Sequence, residues 1–192
     1  MLKEPHPGRV KTRLGRDIGM VPAAWWFRHQ TKSLLRRLVD PRWRVVLAVA
    51  PDVEGMQSRI WPRRFARIAQ GHGDLGARMG RIFTRMQTPN TCIIGADIPG
   101  ITRAHVARAF LALGAHDAVL GPAPDGGYWL IGQSRLKPPP PQLFANVRWS
   151  TQDAMQDTLN GLRDRRVAFV DMLSDVDTVD DLPMTGARRR AT

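Results

Sequence analysis

Three segments carry residues whose types and spacing fit phosphate and metal chemistry. The first, KEPHPGRVKTRL, sets Gly8, Arg9, Lys11 and Arg13 in a loop before a helix. Arginine forks and a lysine point charge suit a triphosphate, and a glycine lets backbone N–H groups join them. The Lys11-Thr12 pair matches the end of a P-loop, but the first glycine of that motif is missing, so a P-loop is rejected. The second, IIGADIPGIT, delivers Asp97 to the carboxyl end of an apolar strand. A carboxylate there suits a magnesium ion that also touches substrate phosphates. The third, SDVDTVDDL, supplies Asp175, Asp177, Asp180 and Asp181 just after a strand. Asp177 is the better ligand for the other side of the same metal, and Asp180 and Asp181 read as helix-capping residues.

Two further segments are richer in glycine. GPAPDGGYWLIG places Asp125, Gly126 and Gly127 between two apolar β-type runs, where a missing side chain lets something approach the backbone closely. Its simplest reading is a tight hairpin turn, since Asp-Gly is a strong turn signal. QGHGDLGARM puts Gly71, Gly73 and Gly76 around Asp74 at the entry to a helix. Gln70 or backbone groups there suit a base edge, although a glycine-rich loop alone is a weak signal.

Those segments must be positioned by a regular scaffold, and the hydrophobic pattern supplies one. Arg44 to Ala50, Phe65 to Ala69, Thr91 to Gly95, Ala118 to Leu120, Tyr128 to Ile131 and Val167 to Val170 read as strands. Helices are predicted over 21–39, 74–86 and 102–113, with Thr102 as an N-cap, and from a cap near Ser150 or Thr151. Alternating strands and helices imply an open, mostly parallel α/β sheet whose ligands bind beyond the carboxyl ends of strands. The 192 residues suit one domain, 1–183, followed by a basic, disordered tail at 184–192.

Composition removes several function classes. No apolar run approaches the roughly 20 residues that span a bilayer, and the start is not a signal peptide, so a cytoplasmic location is the default expectation. The single cysteine, Cys92, cannot form an intrachain disulfide, and the five histidines lack metal-ligand spacing. A net charge of +12 raises the question of nucleic acid. The arginines are spread along the chain without a zinc-finger or RRM-type motif, so most read as solvated faces and nucleic acid is not an expected partner.

Taken in order, PGRVKTRL, GDLGARM, GADIP, GPAPDGGYWLIG, WST and DVDT resemble the DUF2064 family, the selenodomain-associated transferase type 1 proteins. That family is similar to the nucleotide-diphospho-sugar transferase superfamily, which includes enzymes that guanylylate phospholactate or molybdopterin. The resemblance covers nearly the whole chain. It implies a GT-A-like, Rossmann-like three-layer sandwich with a mostly parallel mixed sheet. It also implies that Gly8, Arg9, Lys11 and Arg13 face nucleotide phosphates and that Asp97 and Asp177 coordinate Mg2+. Asp125, Gly126 and Gly127 would line the acceptor side, with Gln70, Gly73 and Asp74 near the base or ribose. Trp149, Ser150 and Thr151 match the WST pattern, with Trp149 read first as packing. One departure stands out: only Met1 and Leu2 precede Lys3, so the first strand is expected to be cut short. The expectation is either a misassigned start or a damaged phosphate loop.

The activity implied is a magnesium-dependent nucleotidyltransferase, with Lys11, Arg13, Asp97 and Asp125 as catalytic residues. Its substrates would be a nucleoside triphosphate and a small phosphorylated acceptor. Glycosyl transfer from a nucleotide-sugar is the first alternative, and a non-catalytic nucleotide- or nucleic-acid-binding protein is the second.

Overall fold

A computed structural model describes residues 1–86 and 88–182, so the tail expected at 184–192 lies outside the described residues. The chain runs β1 (Leu2–Lys3), α1 (Thr12–Ile18), α2 (Met20–Arg37), β2 (Val46–Ala50), α3 (Asp52–Gln57), β3 (Ala66–Ala69), α4 (Leu75–Arg85) and β4 (Asn90–Ile94). It continues through α5 (Arg103–Ala112), β5 (Ala118–Pro122), β6 (Tyr128–Ser134), α6 (Ala154–Gly161) and β7 (Val167–Phe169). The inner strands are near-continuous apolar runs because both of their faces are covered.

Two sheets share this covering. In one, β2 pairs in parallel with β1 and β3, setting Leu2 opposite Val49 and Leu47 opposite Arg67. In the other, the order is β4-β6-β5-β7, with β6 antiparallel to both neighbours and β5 parallel to β7. Leu34 and Leu38 at the end of α2, with Val106 and Ala109 of α5, pack on one face against Val119 and Leu130. Met79, Ile82 and Phe83 of α4 pack on the other against Ala48, Ile93, Leu120 and Ile131, joined by Met155 and Leu159 of α6. The result is the expected three-layer α/β arrangement.

Where the two sheets meet, β1 has only two residues and the Met1 ammonium donates to the Ile94 carbonyl at 2.6 Å. Burial lowers the pKa of that ammonium to about 6, against an opposing pull from Asp97. Beside it lies a trench of about 510 Å3, lined by β2, β4 and their flanks, including Trp43, Ala48, Ile82, Cys92, Ile94 and Phe110.

Several boundaries follow local chemistry. The predicted cap at Thr102 is present as a capping box with His105 before α5, and Asp74 Oδ1 caps α4 by accepting from the Ala77 N–H at 2.7 Å. Two sequence readings are corrected. Arg13 lies in the first turn of a short helix, α1, rather than in a loop, and Lys11 is that helix's N-cap. The helix expected from Ser150 or Thr151 begins only at Ala154, because Ser150 has φ 62° and Thr151 Oγ1 donates instead to the Arg148 carbonyl at 2.8 Å.

Candidate functional site

Beyond the carboxyl ends of β1 and β4 opens a chamber of about 730 Å3. Asp97 reaches it because β4 ends at Ile94 and the chain turns through Gly95, whose N–H donates to the Trp129 carbonyl at 3.1 Å. The acidic segment is carried to the same place by an extended run after β7. That run is anchored where the Trp129 indole donates to the Asp171 carbonyl at 2.8 Å and the Leu173 N–H to the Pro122 carbonyl at 3.1 Å. Asp97, Asp175 and Asp177 each offer an oxygen within 4.8 Å of the others, a spacing that suits one metal ion.

At the centre of these carboxylates lies a lysine. Lys11 Nζ is 2.8 Å from Asp97, 2.7 Å from Asp177 and 3.6 Å from Asp175, and its side chain is only 6% exposed. Its backbone adopts the left-handed conformation, φ 45° and ψ 50°, which costs a non-glycine residue on the order of 1 kcal/mol. Burial works against the Lys11 charge, but the field of Asp97 and hydrogen bonds to Asp177 and Asp97 outweigh it and hold its pKa above the ordinary lysine value. Arg13, well exposed, forms a second ion pair with Asp177 at 3.0 Å. Burial opposes the Asp177 charge, yet its bonds to Lys11 and the charge of Arg13 depress its pKa. Asp175 is pushed up to about 6 by burial, reinforced by Asp177 and Asp97 and only partly relieved by Lys11.

The sequence names Asp175 in the acidic segment but prefers Asp177 as the ligand, and the structure brings both to the cluster. The signal was present: residues i and i+2 of an extended run share a face. Lys11, expected to face phosphate, pairs with the carboxylates of this cluster. Arg9 lines the chamber and lies 3.7 Å from Glu54, and Arg78 lines it from α4 while donating to the Gly73 carbonyl at 2.9 Å. Gly8 sits at φ 75° in the loop before them.

The wall expected to take the acceptor is the β5–β6 connection, which is a hairpin turn lining the chamber. Asp125 Oδ1 accepts from the Gly127 N–H at 2.9 Å, and both residues line the chamber. Gly126 has φ 83°, and a Cβ there would overlap the backbone of Gln152, so the turn and the WST segment fit only with glycine. Trp149 packs its ring 6.0 Å from that of Phe144 and keeps a buried indole N–H that has no partner among the described residues.

The side chains of the glycine-rich segment before α4 are engaged with backbone. Gln70 lines the chamber, but its side-chain NH2 is spent on the Leu2 and Ala48 carbonyls at 3.0 and 2.8 Å, so it clamps β1 to β2. The Asp74 carboxylate is occupied with the cap of α4, and Gly73, at φ 94°, shapes the turn before it.

Comparison with known proteins agrees with this architecture. No curated protein matches the chain in sequence. A Desulfovibrio desulfuricans G20 protein, provisionally described as a nucleotide-diphospho-sugar transferase, is 31% identical with a TM-score of 0.82, over all of this chain and 88% of that one. The 4-diphosphocytidyl-2C-methyl-D-erythritol synthase of Anaerococcus prevotii DSM 20548 is 13% identical with a TM-score of 0.56, over 81% and 84% of the two chains. Rv0371c of Mycobacterium tuberculosis H37Rv is 14% identical with a TM-score of 0.52, over 81% and 80%. These likenesses establish the nucleotide-diphospho-sugar transferase fold. Residues 34–151 match the family described as "uncharacterized protein conserved in bacteria", and with the Desulfovibrio likeness this shows that the chain belongs to DUF2064.

Proposed function

We propose that the protein is a metal-dependent nucleotidyltransferase. The observation that carries this reading is the meeting of Asp97, Asp175 and Asp177 with Lys11 and Arg13 in one chamber at the carboxyl ends of strands. A buried ammonium already sits among the carboxylates as a stand-in cation, so the donor set fits a hard divalent ion such as Mg2+. Such an ion, held by Asp97, Asp177 and Asp175, would neutralise phosphate oxygens as charge builds on them. Arg9, Arg13 and Arg78 would hold the triphosphate by charge-assisted hydrogen bonds, with Gly8 and Gly73 shaping the loops that approach it. Asp125, Gly126 and Gly127 would orient a small phosphorylated acceptor on the opposite wall. One acceptor oxygen attacks the α-phosphorus, a P–O bond forms, and the bond to the β-phosphate oxygen breaks with its electron pair leaving on pyrophosphate. The protein contributes position and charge, without a covalent nucleophile.

The name given to the Desulfovibrio relative favours a second reading, transfer of a sugar from a nucleotide-sugar to an acceptor. The product separates the two: pyrophosphate for the first, a nucleoside diphosphate for the second. Calorimetric titration with nucleoside triphosphates and nucleotide-sugars, with and without magnesium, tests both. Magnesium-dependent binding that Asp97→Ala abolishes is the expected result. Salt-dependent binding to duplex DNA with no nucleotide binding would instead favour a non-catalytic nucleic-acid binder. Among the described residues, no helix is long and apolar enough to cross a membrane.

A further inference from the structure

We infer that Lys11 is the resident cation of the carboxylate cluster, and that a divalent ion enters only together with a polyphosphate that takes the lysine over. This rests on the reading of the chamber as a nucleotide site and adds an order to its filling. The Lys11 ammonium sits within 2.8 Å of Asp97 and Asp177, in the space that a metal shared by those carboxylates would need. A free divalent ion must therefore displace it. Arg13 can yield easily, because its side chain is 66% exposed and water replaces what it loses. Lys11, at 6% exposed, has no such refuge. Pushed off the carboxylates alone, it would be a buried, unpaired charge close to a dication, and removing one partner of a buried pair is strongly unfavourable.

A polyphosphate changes the balance by supplying a new anion on the cationic side of the chamber. Its oxygens can accept the Lys11 ammonium while they ligate the incoming metal. The lysine is also held in a left-handed backbone conformation that side chains rarely adopt, at the N-cap of α1. Metal and polyphosphate thus bind with positive coupling, and each raises the affinity for the other by the same factor.

The test uses Mn2+ as the metal probe and inorganic tripolyphosphate as the anion, read by water-proton relaxation of protein-bound Mn2+, on wild type, Lys11→Met and Lys11→Gln. Wild type should hold Mn2+ alone about tenfold or more weakly than with tripolyphosphate present. Both variants should bind Mn2+ alone about tenfold or more tightly than wild type and lose most of the coupling. Circular dichroism checks that the variants are folded, and the wild-type comparison needs no variant. Equal wild-type affinity for Mn2+ with and without tripolyphosphate, or no gain in folded Lys11 variants, overturns the inference. The same titration with nucleoside triphosphates separates the two ideas. Coupling to tripolyphosphate without binding of any nucleotide would sink the proposed function and leave the lysine exchange standing. Nucleotide binding to a protein that already holds Mn2+ alone would do the reverse.

Discussion

Strand β4 passes between two cavities of opposite character. Beyond its carboxyl end, Asp97 enters a chamber where carboxylates, a buried ammonium and guanidinium groups are set against one another. Along the strand itself, Cys92 at its middle borders an apolar trench between β4 and β2. In the chamber, hydrogen bonds and opposite charges overcome burial and hold Asp177 well ionised. In the trench nothing opposes burial, and the Cys92 thiol is pushed up to about 12. Burial is common to both; what differs is the presence of partners. The same strand therefore leads at its carboxyl end into a charged chamber and lies along an apolar trench.

The largest expected effect tests the trench. The Cys92 pKa lies about three units above the ordinary value of 9.0. At pH 8 its thiolate fraction should therefore be lower than in denaturant by a factor on the order of 10³. Alkylation by iodoacetamide should be slower in the folded protein by about that factor, and should rise tenfold per pH unit while the fold persists. A rate close to that in urea would mean that the trench is wet and polar, and the contrast between the two cavities would fail.

A smaller effect probes how firmly the chamber wall is built. Gly126 combines φ 83° with a backbone neighbour, Gln152, in the space a Cβ would need, and its carbonyl accepts from the Met155 N–H at 3.0 Å. Gly126→Ala should destabilise the protein by about 2–4 kcal/mol through strain and overlap. That corresponds to a Tm fall on the order of 10 °C for a chain of this size. Gly8→Ala is the control: its φ is 75° but none of the described residues lies within 4 Å of its Cβ position, so about 1 kcal/mol is expected. Equal losses in thermal melts would show that the hairpin wall yields, and that its close contact with Gln152 does not define the chamber.

Much of this arrangement was legible in the sequence, and the limits follow from distance along the chain. Local signals gave β4 ending just before Asp97, the Thr102 cap and the apolar faces of α4. They gave the strand order poorly, because pairing partners such as Leu2 and Val49 are far apart in sequence. The Lys11–Asp177 contact joins residues 166 positions apart, and no local pattern encodes it. The glycine-rich context points Gln70 toward a base edge, and the family resemblance adds Asp74. In the structure Asp74 caps its own helix, a local competition, and Gln70 bonds to Leu2, 68 residues away, which no local motif reveals. Asp175 ranks below Asp177 in the sequence because four aspartates in seven residues look interchangeable until the extended run shows which two share a face.

The smallest effect concerns that lower-ranked residue and gives the sharpest test of how the chamber tolerates its charges. Asp175 has a folded pKa of about 6 against an ordinary 3.8, so between those values the native state binds the extra proton. Its contribution to stability is fully present below about pH 4 and is lost as pH rises through 6. A rise of that size corresponds to at most about 3 kcal/mol. Solvent screening at a side chain 36% exposed reduces this to about 1 kcal/mol. Asp175→Asn removes the penalty and leaves Lys11 with Asp97 and Asp177. In the ligand-free protein with chelator present, it should raise the Tm by about 2–4 °C at pH 8 and leave it unchanged at pH 4. A lower Tm for the variant at pH 8 would mean that the attraction of Lys11 for this carboxylate exceeds its cost of burial. The chamber would then be balanced at rest, with no excess of negative charge for a metal to relieve.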